Sequence, residues 1–110
     1  MNWDRYLAKS YVPYSENPMA AFVKAGNETF YPGVRIENVS FPLTITALQG
    51  AVLSALADGA KPVTYYLSAP LSEAKTGFWE NEYELKQGDE SDIDDSKIYN
   101  PVANGKTDTR

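Results

Sequence analysis

The first apolar pattern along the chain is typical of a short helix. Trp3, Tyr6 and Leu7 fall at positions i, i+3 and i+4, which predicts a helix over residues 3–9 with one apolar edge. Pro13 and Pro18 follow, and each restricts its own φ and the residue before it. The segment after the helix is therefore predicted to be an irregular connector.

A strand pattern follows the connector. Residues 19–25 form a short apolar run that ends at Gly26-Asn27, and the segments 28–31 and 34–39 come after that turn. Glycine and asparagine are the residues that tight hairpin turns favour. This part of the chain is predicted to form two or three strands around the turn.

The period then changes to that of a helix. Apolar residues recur at spacings of three or four, with Ala and Gly between them: Ile45, Leu48, Val52 and Leu56. Thr44 is the predicted N-cap, Gly59 the predicted C′ residue, and Pro62 prevents continuation. Because nearly every side carries an apolar or small residue, this helix is expected to be buried on more than one face.

The remaining elements are a clear strand over residues 63–68, a weak helix over 71–79 and an edge strand over 82–86. Helices that alternate with strands in this order predict a layered α/β domain with a mixed sheet. We expect this domain to span residues 1–86, and residues 87–110 to form an acidic, mobile tail.

Composition removes several kinds of chemistry. The 110 residues include no Cys and no His. The chain therefore supplies no disulfide, no thiol nucleophile and no imidazole ligand.

Charge is distributed unevenly. The net charge is -5, yet residues 1–79 carry six acids and six bases, so the whole excess lies in residues 80–110. A neutral body without a basic stripe predicts no binding to duplex nucleic acid, and no apolar run approaches a membrane span. Without a recognisable signal peptide, the expected location is the cytoplasm.

Two segments resemble the cytidine deaminase family. Residues 11–21 read Tyr-Val-Pro-Tyr-Ser-Glu-Asn-Pro-Met-Ala-Ala, and residues 33–48 contain Glu37-Asn38-Val39-Ser40 followed by Thr46-Ala47-Leu48. Their order and spacing are similar to the family's Pro-Tyr-Ser segment, its Glu-Asn-Ala-Ser strand end and its Cys-Ala-Glu helix start. The resemblance covers roughly residues 4–60 and implies a layered α/β/α domain, here shortened on its C-terminal side.

The family's metal site is altered in this sequence. The resemblance implies a zinc ion held by the Cys of Cys-Ala-Glu and by two later cysteines, with the Glu moving protons. Thr46, Ala47 and Leu48 stand at the first motif, and Leu71 and Ala74 at the two later positions. We therefore expect no zinc, no other cofactor and no deaminase activity, which makes the chain a predicted pseudoenzyme.

The ligand pocket is partly retained. The family's Asn and Glu, which hold ribose hydroxyls, correspond to Arg35 and Glu37. Glu37 has two interpretations: a carboxylate at a strand end that pairs with Arg35 or a nearby amide, or a surviving clamp for a ligand. The predicted remnant of the pocket consists of Arg35, Glu37, Thr46, Ala47, Leu48, Leu71 and Ala74.

Three functions remain open from the sequence. The first is an inactive subunit for assembly, as a homo-oligomer or within a larger complex, because the family's members are oligomers. The second is a binding or regulatory module for a nucleoside-like ligand. The third is an enzyme with zinc-independent chemistry, for which the sequence shows no motif.

Overall fold

The computed structural model describes residues 1–37, 44–69 and 83–100. Within these ranges the chain forms two α-helices, four strands and two turns of 3₁₀-helix. In chain order they are α1 (Trp3–Leu7), β1 (Ala20–Ala25), β2 (Phe30–Val34), α2 (Ala47–Ala57), β3 (Pro62–Leu67), β4 (Lys86–Gln87), and the 3₁₀ turns Glu90–Asp92 and Asp95–Lys97. The predicted helix over 71–79 lies outside the described residues.

The strands form one mixed sheet in the order β2-β1-β3-β4. β1 pairs antiparallel with both β2 and β3, whereas β4 runs parallel to β3. The hairpin between β1 and β2 closes around Gly26-Asn27, where Thr29 N–H donates to the Asn27 side chain over 3.0 Å. The predicted strand pair and the mixed sheet are thus confirmed.

Helix α2 begins at a capping box. The Thr46 hydroxyl accepts from the Gln49 N–H over 3.1 Å, and the Gln49 side chain accepts from the Thr46 N–H over 3.4 Å. The N-cap is therefore Thr46, and the prediction of Thr44 was wrong by two residues. The helix ends as predicted, with Gly59 at a φ of +75°, a conformation that costs glycine little.

Each face of the sheet carries its own apolar cluster. On one face, α2 packs against alternate residues of β1, among them Ala21 and Val23. On the other, α1 packs against Ala20 and Phe22, and the Tyr6 ring meets the Phe22 ring edge-on at 4.9 Å. The described residues therefore have helices on both faces of the sheet, which is the predicted layered α/β arrangement.

Within residues 83–100, Leu85 and Tyr99 belong to the cluster that contains α2, whereas Ile93 and Ile98 pack against the second face of the sheet. Ile93 is buried there, and Ile98 forms a parallel bridge with Phe30. The Tyr99 N–H donates to the Phe30 carbonyl over 2.8 Å, and the Tyr99 ring lies 5.0 Å from the ring of Tyr31. The division of the chain at residue 87 stays a prediction, and residues 101–110 lie outside the described residues.

None of the helices in the described ranges is both long enough and apolar enough to span a membrane.

Candidate functional site

The end of β2 and the start of α2 are brought together by one pair of residues. Ile36 and Ile45 exchange two backbone hydrogen bonds, of 3.0 and 2.8 Å. Arg35 and Glu37 flank the first of these residues, and Thr46 follows the second. Most of the predicted pocket residues therefore meet at this junction, while Leu71 and Ala74 lie outside the described residues.

Glu37 is the buried carboxylate of this junction, with 6% of its surface exposed. Its Oε1 accepts from the Tyr14 and Ser15 N–H groups over 3.0 and 3.1 Å. Its Oε2 accepts from the Ser15 hydroxyl and lies 3.1 Å from Nε of Arg35. Glu37 therefore ties the connector between α1 and β1 to the end of β2.

The partners of Glu37 use most of its capacity to accept hydrogen bonds. A carboxylate offers about four lone-pair positions, and three donors and one cation surround this one. This geometry corresponds to the first interpretation of Glu37, in which it pairs with Arg35 and with nearby amides. Within the described residues, the arrangement holds backbone in place and gives the buried charge its partners.

Arg35 lies beside Glu37 without a hydrogen bond from its Nε to the carboxylate. Its Nε is buried beside Oε2 of Glu37, but its N–H is not directed at an acceptor within the described residues. Backbone contacts fix the residue, since its N–H donates to Met19 and its carbonyl accepts from Tyr11. The end of β2 therefore holds the Arg35 guanidinium next to the Glu37 carboxylate.

The hydrogen bonds to Glu37 alter its acidity. The Ser15 hydroxyl lowers the pKa of Glu37 most, the amides of Ser15 and Tyr14 add to this, and the Arg35 charge contributes least. Burial acts in the opposite direction and is outweighed. Glu37 is therefore a carboxylate stabilised in its charged form and is not suited to act as a general base near neutral pH.

Thr46, Ala47 and Leu48 have structural roles at the start of α2. The Thr46 oxygen is used by the capping box, and Ala47 and Leu48 are buried at 5% and 1% exposure within the cluster that α2 forms with the sheet. These three side chains start the helix and fill the core. Leu48 occupies the position at which the resemblance implies a proton-transferring Glu.

The zinc ion that the resemblance implies does not fit the groups found here. Zinc in proteins takes thiolate, imidazole or carboxylate ligands. Ala47 and Leu48 offer no donor atom, Thr46 offers only a hydroxyl that already caps α2, and the sequence contains no Cys or His. Across residues 1–37, 44–69 and 83–100, no three acidic side chains cluster closely enough to hold a metal ion. No chemical step through zinc is therefore derived for these residues.

The sequence did not identify Tyr14 and Ser15 as the partners of Glu37. The Pro-Tyr-Ser segment was recognised as part of a motif, but without a role for each residue. The informative signal was Ser15 itself, because serine hydroxyls and exposed turn amides are common donors to buried carboxylates.

Comparisons with known proteins agree on one family. A family model described as "Cytidine and deoxycytidylate deaminase zinc-binding region" matches residues 5–77. A curated relative named cytidine deaminase, from Mycoplasma genitalium, is 39% identical over 59 residues, which are 54% of this chain and 45% of that protein. Another of the same name, from Sporosarcina psychrophila, is 38% identical over 53 residues, 48% of this chain and 39% of that protein. The matched region thus spans less than half the length of these relatives.

Solved structures show the same fold. A mutant cytidine deaminase from Mycobacterium tuberculosis has a TM-score of 0.62 at 20% identity, covering 82% of this chain and 87% of that one. A cytidine deaminase from Burkholderia pseudomallei has a TM-score of 0.57 at 24% identity, covering 68% of this chain and 67% of that one. At 20% and 24% sequence identity, the structural similarity shows that this chain has the same fold.

The relatives correct one expectation from the sequence. The missing Cys and His led to the prediction of a chain that is not an enzyme. The curated relatives are named cytidine deaminase, which is an enzyme family, and so are the similar structures. The prediction of a pseudoenzyme was therefore wrong, because it inferred the absence of an activity from the absence of one set of ligands.

Proposed function

The chain belongs to the cytidine and deoxycytidylate deaminase family, and we propose that it is an assembly subunit of a cytidine deaminase-type protein that packs against a second copy of itself through α2. The observation that carries this proposal is the composition of that helix. Its eleven residues include no charged side chain, yet Leu53 and Leu56 are 44% and 39% exposed.

A helix without a charged face is typical of one covered on both sides. In the described residues the sheet covers one side, where Ala51, Val52 and Ala55 are fully buried. Leu53 and Leu56 are three residues apart and share the other side. Burial of the two leucines would contribute roughly 1.5–3 kcal/mol each if it were complete.

A second copy suits this surface because the surface carries no charge. In a two-fold dimer the same patch of each copy meets the other. A net charge on the patch would therefore face the same charge on the second copy and be repelled by it. The outer face of α2, defined here as Gln49, Leu53, Leu56 and Ala57, avoids that repulsion although the whole chain carries a charge of -5.

Molar mass from light scattering tests the proposal. The unaltered protein is expected to be a dimer or larger, and the double variant Leu53→Gln/Leu56→Gln a monomer. Val63→Gln is the matched control, because Val63 is an equally exposed apolar residue, at 45%, that belongs to β3 and not to α2. A monomeric unaltered protein, or a double variant with unchanged mass, would overturn it.

The second function inferred from the sequence also remains a proposal. In it, the predicted pocket binds a nucleoside-like ligand. The names of the relatives support it, and so does Tyr14, which is 62% exposed while its N–H is held by Glu37. Calorimetric titration with cytidine and uridine tests it, and ammonia release from cytidine in the same samples measures turnover. Absence of heat at millimolar nucleoside would exclude this ligand class.

A further inference from the structure

A cavity of about 570 Å³ lies on the β2 side of the molecule, away from the junction at Glu37. It is bounded by α1, by β2 at Pro32, by α2 at Ser54 and by residues 95–100. Cavities of this size hold small metabolites rather than single ions. None of the predicted pocket residues that the structure describes, Arg35, Glu37 and residues 46–48, lines it.

Two cations line this cavity, Arg5 within α1 and Lys9 in the turn that follows it. Arg5 and Lys9 are four residues apart, so they project from the same side of the chain as it leaves the helix. The ammonium of Lys9 lies 5.5 Å from the centre of the Tyr6 ring, which helps to fix its position. Two cations that line the same cavity repel each other, and an anion bound between them would remove that cost.

The other charged groups of the cavity leave this positive charge in place. Among the described residues, Asp95 is the acidic residue that lines it, and its Oδ2 lies 3.6 Å from the terminal ammonium of Met1. The carboxylate is therefore offset by a cation of its own. Asn2 and Asn100 add neutral amide groups to the lining.

We propose that this cavity binds a small phosphorylated ligand, whose phosphate lies between Arg5 and Lys9 and whose remaining part occupies the space toward residues 98–100. A guanidinium and an ammonium are the groups that proteins use most for phosphate. The cavity volume exceeds that of a phosphate ion, so the ligand has an uncharged portion that meets the amides and the Tyr99 ring.

Calorimetric titration with two probes, inorganic phosphate and ribose 5-phosphate, tests the proposal at ionic strength matched with chloride. Both are expected to bind, ribose 5-phosphate more tightly. Arg5→Gln/Lys9→Gln is expected to weaken binding by roughly tenfold or more, since two charge-assisted contacts are lost. Lys61→Gln is the matched control, because it removes an exposed cation that does not line the cavity. The affinity of this variant for both probes should equal that of the unaltered protein.

The conservative variant Lys9→Arg keeps the charge and is expected to retain binding, and circular dichroism checks that each variant is folded. No binding by the unaltered protein would overturn the proposal. So would unchanged affinity in the double variant, or an equal loss in Lys61→Gln. Phosphate that binds as tightly as ribose 5-phosphate would overturn the assignment of the wider cavity to the ligand.

Discussion

Gly50 of α2 lies directly against Gly33 of β2. A Cβ placed on Gly50 would stand 3.6 Å from the Cα of Gly33, which is an ordinary contact. A Cβ placed on Gly33 would instead lie 2.8 Å from the carbonyl carbon of Gly50 and closer still to backbone atoms of Ala47 and Ala51. The helix therefore packs on bare strand backbone at this point, and the two glycines differ in what they tolerate.

Gly33→Ala is expected to destabilise the protein by about 3 kcal/mol, the upper end for overpacking, because the added methyl group meets helix backbone that cannot turn away. Chemical denaturation measures the change. Gly26→Ala is the control, since a Cβ there has nothing within 4 Å. That variant should be neutral or stabilised by about 0.4–1 kcal/mol through the unfolded state. Equal midpoints for the two variants would contradict the packing described.

Gly50→Ala is expected to stabilise the protein by about 0.5–1 kcal/mol, because alanine is the better residue inside a helix and the new contacts are of normal length. Thermal unfolding would show a raised Tm. Gly59→Ala should act in the opposite direction, since its φ of +75° strains any residue with a Cβ. A lowered Tm for Gly50→Ala would mean that α2 lies closer to β2 than these distances indicate.

Thr46→Ala is expected to cost about 1 kcal/mol of stability, because it leaves the Gln49 N–H without its cap. Thr46→Ser keeps the hydroxyl and should retain most of that stability. Urea denaturation of both variants measures the difference. Equal stability of Thr46→Ala and the unaltered protein would show that the hydroxyl does not stabilise the start of α2.

Glu37 is expected to contribute stability that depends on pH. Its pKa is lowered in the folded protein from an ordinary value of 4.5. The contribution is therefore fully present above that value and is lost as the pH falls through the lower pKa of the folded state. Denaturation midpoints of the unaltered protein and Glu37→Gln should differ at neutral pH and converge as the solution is acidified below 4.5.

Asp94→Asn supplies the comparison for Glu37→Gln. The pKa of Asp94 is also lowered, chiefly by the Ser96 hydroxyl, but its side chain lies on an exposed turn. Its effect on the midpoint at neutral pH should be smaller than that of Glu37→Gln. A gap between Glu37→Gln and the unaltered protein that stays constant on acidification would show that the carboxylate's charge contributes nothing.

Local signals in the sequence were sufficient for much of the fold. The Gly26-Asn27 turn marked the hairpin, and the period of α2 marked the helix, because both depend on neighbouring residues. The wrong prediction of Thr44 as the N-cap of α2 also concerned a local signal. Gln49 follows Thr46 by three residues and completes a capping box that Thr44 cannot form.

Long-range contacts were beyond this kind of reasoning. Ile93 is buried against the second face of the sheet although acidic residues surround it in sequence. Its contacts come from the other end of the chain, where Tyr6 and Phe22 form the same cluster. The partners of Glu37 are also distant in sequence, since Ser15 lies 22 residues away.

The pairing of Ile98 with Phe30 has a consequence for how copies of the chain can meet. An unpaired outer strand exposes N–H and C=O groups that recruit strands from other molecules and lead to aggregation. Along the outer side of β2, the Phe30 carbonyl is already taken by the Tyr99 N–H, and Pro32 has no N–H to offer. Sheet extension at this edge is therefore obstructed, and a copy that approaches β2 from this side meets side chains rather than unpaired backbone.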